Sequence, residues 1–90
     1  MVMMTLVFKI NGAVKELEVV CDGLPVRVRG VADGYIGSMR VNPGRHTYRI
    51  DAVGYPGASW TARVSSSVVV DHYRGLFAGS GRDSTGDRLF

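Results

Sequence analysis

Residues 45–64 read RHTYRIDAVGYPGASWTARV, and the alternation of apolar and polar side chains in this stretch decides the fold class. Successive side chains of a β-strand point to opposite sides, so every second residue shares a face. The pattern predicts two strands, separated by a turn at residues 54–57. The side chains expected in the core are Tyr48, Ile50, Ala52, Trp60, Ala62 and Val64.

The amino-terminal residues alternate in the same way. Leu6, Phe8 and Ile10 share one face of an extended run, and the dipeptide Asn11-Gly12 follows. Asn-Gly tolerates the positive φ angles of a type I′ turn, whose twist matches that of two paired strands. We therefore expect a hairpin in which this strand pairs with the next alternating run, which ends near Cys21.

Further short strands are predicted along the middle of the chain. Residues 24–29 alternate, and Pro25 indicates an edge strand because proline cannot donate a backbone hydrogen bond. Residues 36–41 form another run, and Asn42-Pro43-Gly44-Arg45 is typical of a β-turn that closes a hairpin. No helical periodicity of useful length is present. The fold class expected is all-β, a small antiparallel sandwich of six or seven strands.

The composition changes near the carboxyl terminus. Residues 68–70, three valines, suit a last strand, whereas residues 71–90 are rich in glycine, serine and paired charges. Such a segment is expected to be irregular in isolation. We predict a sandwich domain at residues 1–70 and a carboxyl-terminal tail or arm at residues 71–90.

One cysteine, Cys21, excludes an internal disulfide, so packing and backbone hydrogen bonds must hold the fold. The apolar amino terminus lacks a basic leading segment and is interrupted by Lys9, which is unlike a signal peptide. No stretch approaches the ~20 apolar residues that cross a bilayer. A soluble protein of a reducing compartment, such as the cytoplasm, is expected, without a membrane partner.

Residues 24–64 resemble the PEGA family of small β-sandwich modules. The resemblance rests on Val26-x-Val28, on the run Val41-Asn42-Pro43-Gly44-Arg45-His46-Thr47-Tyr48-Arg49-Ile50, and on the closing pair Gly54-Tyr55. It implies an immunoglobulin-like sandwich that works as a binding or spacer module and carries no catalytic residues.

The residues that could carry chemistry have no recognisable frame. Ser65–Ser67, Asp71 and His72 hold the groups of a catalytic triad, but no nucleophile-elbow motif surrounds them. Cys21, the two histidines and the aspartates lack the close spacing of metal ligands. The sequence therefore predicts a protein that is not an enzyme and has no metal or cofactor.

Arginine is the best candidate for a binding residue. Residues 24–64 hold six arginines against two aspartates, a net +4 in a chain of net +3. All six are predicted to point away from the core: Arg27, Arg29, Arg40, Arg45, Arg49 and Arg63. On one sheet face they would form an anion-binding stripe, whereas divided between two faces they would only solubilise the strands. Tyr35 and Tyr55, at turns, are the other candidate contact residues.

Three functions stay open at this point. The first is a structural or interaction protein that assembles with itself or docks on a larger assembly, such as a phage virion component of the capsid-decoration type. The second is a small inhibitor of a host enzyme or defence complex, of the anti-CRISPR type. The third is an anion-binding or nucleic-acid-binding module that uses the arginine face; the modest net charge and the lack of an outward aromatic platform weigh against it.

Overall fold

The computed structural model describes residues 3–67 and 70–89, which form ten strands in two antiparallel sheets. In chain order these are β1 (Met4–Gly12), β2 (Val14–Cys21), β3 (Leu24–Val26), β4 (Val28–Val31), β5 (Gly34–Val41), β6 (Thr47–Gly54), β7 (Ser59–Ser65), β8 (Val70–Leu76), β9 (Arg82–Ser84) and β10 (Arg88–Leu89). Sheet A has the order β4-β5-β1-β7-β8, and sheet B has the order β10-β6-β2-β3 with β9 also paired to β6. Within the described ranges no helix is long and apolar enough to cross a membrane.

The prediction of an all-β antiparallel sandwich is confirmed, although the described residues form ten strands rather than six or seven. The alternation assigned the core correctly in β1, β6 and β7. Phe8 of sheet A is fully buried and meets the ring of Tyr48 of sheet B edge to face, with the ring centroids 6.1 Å apart. Burial of each such side chain stabilises the fold by about 1.5–3 kcal/mol. The buried side chains of these strands are Leu6, Phe8, Ile10, Tyr48, Ile50, Ala52, Trp60, Ala62 and Val64.

The predicted hairpin at Asn11-Gly12 is wrong. Both edges of β1 are occupied by β5 and β7, so β1 and β2 lie in different sheets. Gly12 has a φ of 120°, and an added Cβ would lie 2.8 Å from the Cα of Trp60. The dipeptide therefore forms a corner between the two sheets, because the same backbone freedom that suits a two-residue turn also suits a sharp change of direction.

Two other predicted connections also change sheets. The turn at residues 42–45 was expected to close a hairpin, but β5 belongs to sheet A and β6 to sheet B. The strand predicted over residues 24–29 breaks at Arg27 into β3 and β4, again in different sheets. The edge position inferred from Pro25 is confirmed, because β3 is the last strand of sheet B. Leu24 is 57% exposed at that edge.

The prediction of an irregular arm at residues 71–90, and of a domain that ends at residue 70, needs correction over the described residues. Strand β8 pairs with β7 along seven residues, and β9 and β10 both pair with β6. Phe77 is 3% exposed and stacks on Trp60, with the ring centroids 5.9 Å apart. The glycines and charges of this segment belong to strands with one solvated face and to the bends between them, and not to a separate tail.

Two aspartates join the sheets on the side where β8 faces β9 and β10. Asp83 of β9 accepts hydrogen bonds from the Trp60 Nε1 at 2.8 Å and from the Tyr73 hydroxyl at 3.1 Å. Asp71 of β8 accepts from the Tyr48 hydroxyl at 2.6 Å and from the Arg88 Nε at 3.1 Å. The hydrogen bond from the Arg88 guanidinium, more than any other contact, lowers the pKa of the Asp71 carboxyl. The polar atoms of the core side chains Tyr48 and Trp60 therefore find their hydrogen-bond acceptors in the segment that the sequence predicted to be a tail.

Candidate anion-binding face

The outer face of sheet A carries a row of basic side chains that crosses the sheet. In the strand register Arg29 of β4 lies beside Ile36 of β5, which lies beside Lys9 of β1. Lys9 is directly opposite Arg63 of β7, and Arg63 is opposite His72 of β8. Each of the three cations and His72 is exposed. We call this set, Arg29, Lys9, Arg63 and His72, the basic row.

Further cations flank the basic row on the same face. Arg74 of β8 lies opposite Thr61 of β7, one outward position along, and Arg40 of β5 lies opposite Thr5 of β1. Arg27, between β3 and β4, is exposed beside them. Apolar Val7 and Ile36 occupy two outward positions among the cations, and side chains that can donate hydrogen bonds occupy others: Thr5, Asn11, Ser38, Ser59, Thr61 and Ser65.

Acidic side chains do not neutralise this face. Asp71 is the one acidic residue in the five strands of sheet A, and it points inward to Tyr48 and Arg88. In the described part of the chain, ion pairs involve His46, Arg49 and Arg88, and none involves Lys9 or Arg63. Like charges directly opposite each other destabilise a sheet. The Lys9–Arg63 pair is therefore a local cost that nothing within the described chain offsets.

A shallow groove of about 590 Å³ runs along the β4 side of the face. Its walls carry Arg27 and Arg29, the hydroxyls of Thr5 and Ser38, and the apolar side chains of Val7 and Ile36. Guanidinium groups and hydroxyls above an apolar floor suit a ligand with negatively charged oxygens, because the guanidinium fork donates two parallel hydrogen bonds to carboxylate or phosphate.

The outer face of sheet B has the opposite character. Glu18 of β2 lies opposite Asp51 of β6, and a second shallow groove of about 620 Å³ is lined by Glu16, Glu18, Asp51 and Arg82 among others. Arg49 lies on this face, where its Nε donates to Asp51 at 2.9 Å. The two sides of the sandwich therefore differ in charge, and the excess of positive charge is concentrated on sheet A.

The structure brings together four of the six arginines singled out in the sequence. Arg27, Arg29, Arg40 and Arg63 lie on or beside the outer face of sheet A. Arg49 lies on sheet B, and Arg45 lies in the turn between the sheets. All six point away from the core, as predicted.

The two tyrosines do not belong to the basic row. Tyr35 is half-buried, and its hydroxyl donates to the Lys15 backbone carbonyl at 2.9 Å, which ties β5 to β2. Tyr55 is 58% exposed in the β6–β7 turn, with the Lys15 Nζ 4.1 Å from the centre of its ring. We assign Tyr35 a structural role, and Tyr55 stays a candidate contact away from this face.

Sequence reasoning missed three members of the face: Lys9, His72 and Arg74. Alternation alone places Lys9 outward on β1, but only the register shows that Arg63 is its neighbour. His72 and Arg74 were placed in the predicted arm, and the alternation of residues 70–76 was the signal that could have placed them on a strand.

Geometry does not assemble the catalytic groups considered from the sequence. Asp71 and His72 are successive residues of β8, with Asp71 turned inward and His72 exposed on the outer face. Burial, together with the nearby Asp22 charge, raises the pKa of the Cys21 thiol to about 11, so this thiol is protonated at neutral pH. Over residues 3–67 and 70–89, no group of three His, Cys, Asp or Glu side chains could hold a metal ion.

His46 fastens the connection between β5 and β6 at one end of the sandwich. Its Nδ1 donates to the Asp22 carboxylate at 2.5 Å, and its Nε2 donates to the Asn42 carbonyl at 2.6 Å. Since both partners are acceptors, the contacts require the doubly protonated, cationic ring. The Asp22 and Asn42 contacts raise the pKa of His46. A hydrogen bond from the Thr47 amide, followed by that from His46, lowers the pKa of Asp22.

This arrangement predicts a pH-dependent stability. The His46 contribution is fully present below the unfolded pKa of 6.5 and is lost as the pH rises through the raised folded value. The Asp22 contribution is lost as the pH falls through its lowered folded value. In urea denaturation, the free energy of unfolding of the parent chain should fall by no more than about 1 kcal/mol between about pH 5 and about pH 9, since Asp22 is partly exposed. His46→Gln should show no such fall. His72→Gln, at an exposed histidine on β8, is the control, and equal pH profiles for the two variants would contradict this role.

Comparisons with protein-family models, with curated proteins and with solved structures found no match to this chain. The resemblance of residues 24–64 to PEGA modules therefore stays a prediction.

Proposed function

We propose that this protein is a non-enzymatic binding module that docks on a larger assembly through the outer face of sheet A, and that the docked surface is polyanionic. The observation that carries the proposal is the direct Lys9–Arg63 pairing within the basic row, with no acidic side chain facing outward in the five strands. A polyanion would supply the missing negative charge and offset the repulsion between these cations.

A module of this kind corresponds to the first function predicted from the sequence, a protein that docks on a larger assembly. Its partner is now expected to carry a polyanionic surface. A virion component is one setting for such a module, and the polyanionic surface is the feature that the partner must provide. The opposite face supports the orientation, because the acidic side chains of sheet B would be repelled by the same partner.

Heparin, a simple polyanion, tests the proposal with a pair of matched variants. We expect the full chain to be retained on immobilised heparin at low salt and Arg63→Gln to elute at clearly lower salt. Arg82→Gln is the control, because Arg82 is exposed on β9, outside sheet A, and its loss changes the net charge equally. No retention of the parent chain, or equal shifts for the two variants, would refute docking through this face.

A further inference from the structure

We infer that the polyanion bound by the outer face of sheet A is a nucleic acid duplex, held by its phosphate backbone without reading of the bases. The inference rests on the proposed function and names the partner of the same face. Three properties of the face carry it: the two-dimensional spread of its cations, the chemistry of the groups between them, and the absence of outward aromatic side chains among the described residues of its strands.

The cations form an area and not a line. The basic row extends from β4 to β8, four strand spacings apart, which is about 19 Å at about 4.8 Å per spacing. Arg74 and Arg40 lie in different rows on either side of it. A duplex presents two phosphate strands side by side, with one charge per about 1.7 Å of axis, twice the density of one strand. A broad field of cations fits that surface better than it fits one extended chain.

The groups between the cations suit phosphate oxygens. Hydroxyl side chains lie directly opposite two of the cations, with Thr5 opposite Arg40 and Thr61 opposite Arg74. Arginine, lysine, serine and threonine are among the side chains that hydrogen-bond the phosphate oxygens of nucleic acids. Arginine also outnumbers lysine here, and its planar fork matches phosphate geometry more closely than an ammonium group does.

The face has no platform for unpaired bases. Proteins that bind single strands stack bases on exposed aromatic rings. Among the described residues of sheet A, the aromatic side chains Phe8, Tyr35, Trp60 and Tyr73 lie at inward-facing positions of their strands. The five strands of sheet A span about 19 Å, which is wider than the major groove of about 12 Å, so we expect contact with the backbone that is independent of base sequence.

Titration of the full chain into labelled probes tests this inference, and the nucleic acid probes have equal length. The probes are two duplexes of unrelated sequence, a single strand, heparin, and vesicles of phosphatidylcholine and phosphatidylserine. We expect the two duplexes to bind alike, with dissociation constants of about 1–100 µM near physiological salt, and the single strand to bind more weakly. The logarithm of the association constant should fall with the logarithm of salt concentration with a slope of about −3.6 to −5.4, as for about four to six phosphate contacts.

Substitutions test whether the duplex binds through the outer face of sheet A. Arg63→Gln should weaken duplex binding about eightfold at about 0.1 M salt and reduce the slope by about 0.9, and Lys9→Gln combined with Arg63→Gln should weaken it roughly sixtyfold. Arg63→Lys should keep most of the affinity, and Arg82→Gln should change neither quantity. Unchanged thermal unfolding of these surface variants confirms that the fold is intact.

The different probes distinguish failure of this inference from failure of the proposed function. Binding to heparin without binding to either duplex, tighter binding to the single strand, or tighter binding to the vesicles would overturn the duplex and leave a polyanion-binding face. Absence of binding to every probe would overturn both. A clear preference between the two duplex sequences would contradict contact through the backbone alone.

Discussion

A chain that ends at Val70 is expected to be unfolded in water. It lacks β8 beyond its first residue, the cover of β6 by β9 and β10, and the aromatic contact of Phe77 with Trp60. Loss of a buried phenylalanine alone costs about 3–5 kcal/mol, and a small domain has about 5–15 kcal/mol in total. Circular dichroism of the shortened chain should show no cooperative unfolding transition, and its amide chemical shifts should be those of an unfolded chain.

A substitution in the full chain separates loss of packing from loss of length. Phe77→Ala should lower the free energy of unfolding by about 3–4 kcal/mol. Leu76→Ala at the preceding residue, which is 65% exposed, should change it by less than about 0.5 kcal/mol. A cooperative unfolding transition in the chain that ends at Val70, or an effect of Phe77→Ala as small as that of Leu76→Ala, would show that the carboxyl-terminal strands are dispensable.

Gly75→Ala on β8 is expected to destabilise the sandwich strongly. Gly75 lies opposite Trp60, and an added methyl group would collide with the Asp83 carboxylate and lie 2.8 Å from the Trp60 Nε1. Overpacking, together with the disrupted hydrogen bond between Asp83 and Trp60, should lower the free energy of unfolding by about 3 kcal/mol. Urea denaturation followed by the fluorescence of Trp60, the single tryptophan, measures it.

Gly79→Ala is the matched control for this prediction. No atom lies within 4 Å of the position that its Cβ would occupy. The substitution should therefore change stability by no more than about 0.5 kcal/mol. A loss of stability at Gly79 equal to that at Gly75 would mean that the cost does not come from the collision of the added methyl group with Asp83 and Trp60.

Sequence patterns predicted which side chains are buried better than which strands pair. Alternation assigned the inward faces of β1, β6 and β7 because the period of two follows directly from strand geometry. Partners were missed where a connection changes sheets. Asn11-Gly12 and the turn at residues 42–45 have backbone preferences that fit a hairpin or a corner equally, and the choice depends on distant strands.

The carboxyl-terminal strands and the binding face could not be predicted from the sequence, for related reasons. Polar residues of the predicted tail satisfy core groups, as Asp83 does for Trp60, and composition does not reveal a contact between residues so far apart. The basic row likewise exists only through the register of five strands, which brings Lys9 beside Arg63 and leaves Arg49 on the other sheet. Local sequence identified the arginines as outward but held no information on which of them are neighbours.

The central place of β1 in sheet A has a consequence for the growing chain on the ribosome. β1 precedes the other nine strands along the chain, yet one of its two partners is β7, and synthesis of the residues between them takes roughly 2–9 s at about 5–20 residues per second. During that interval the edge of β1 that pairs with β7 has no partner strand. The nascent chain therefore depends on late closure between distant segments, and it is most exposed to aggregation and to chaperone capture before β7 emerges.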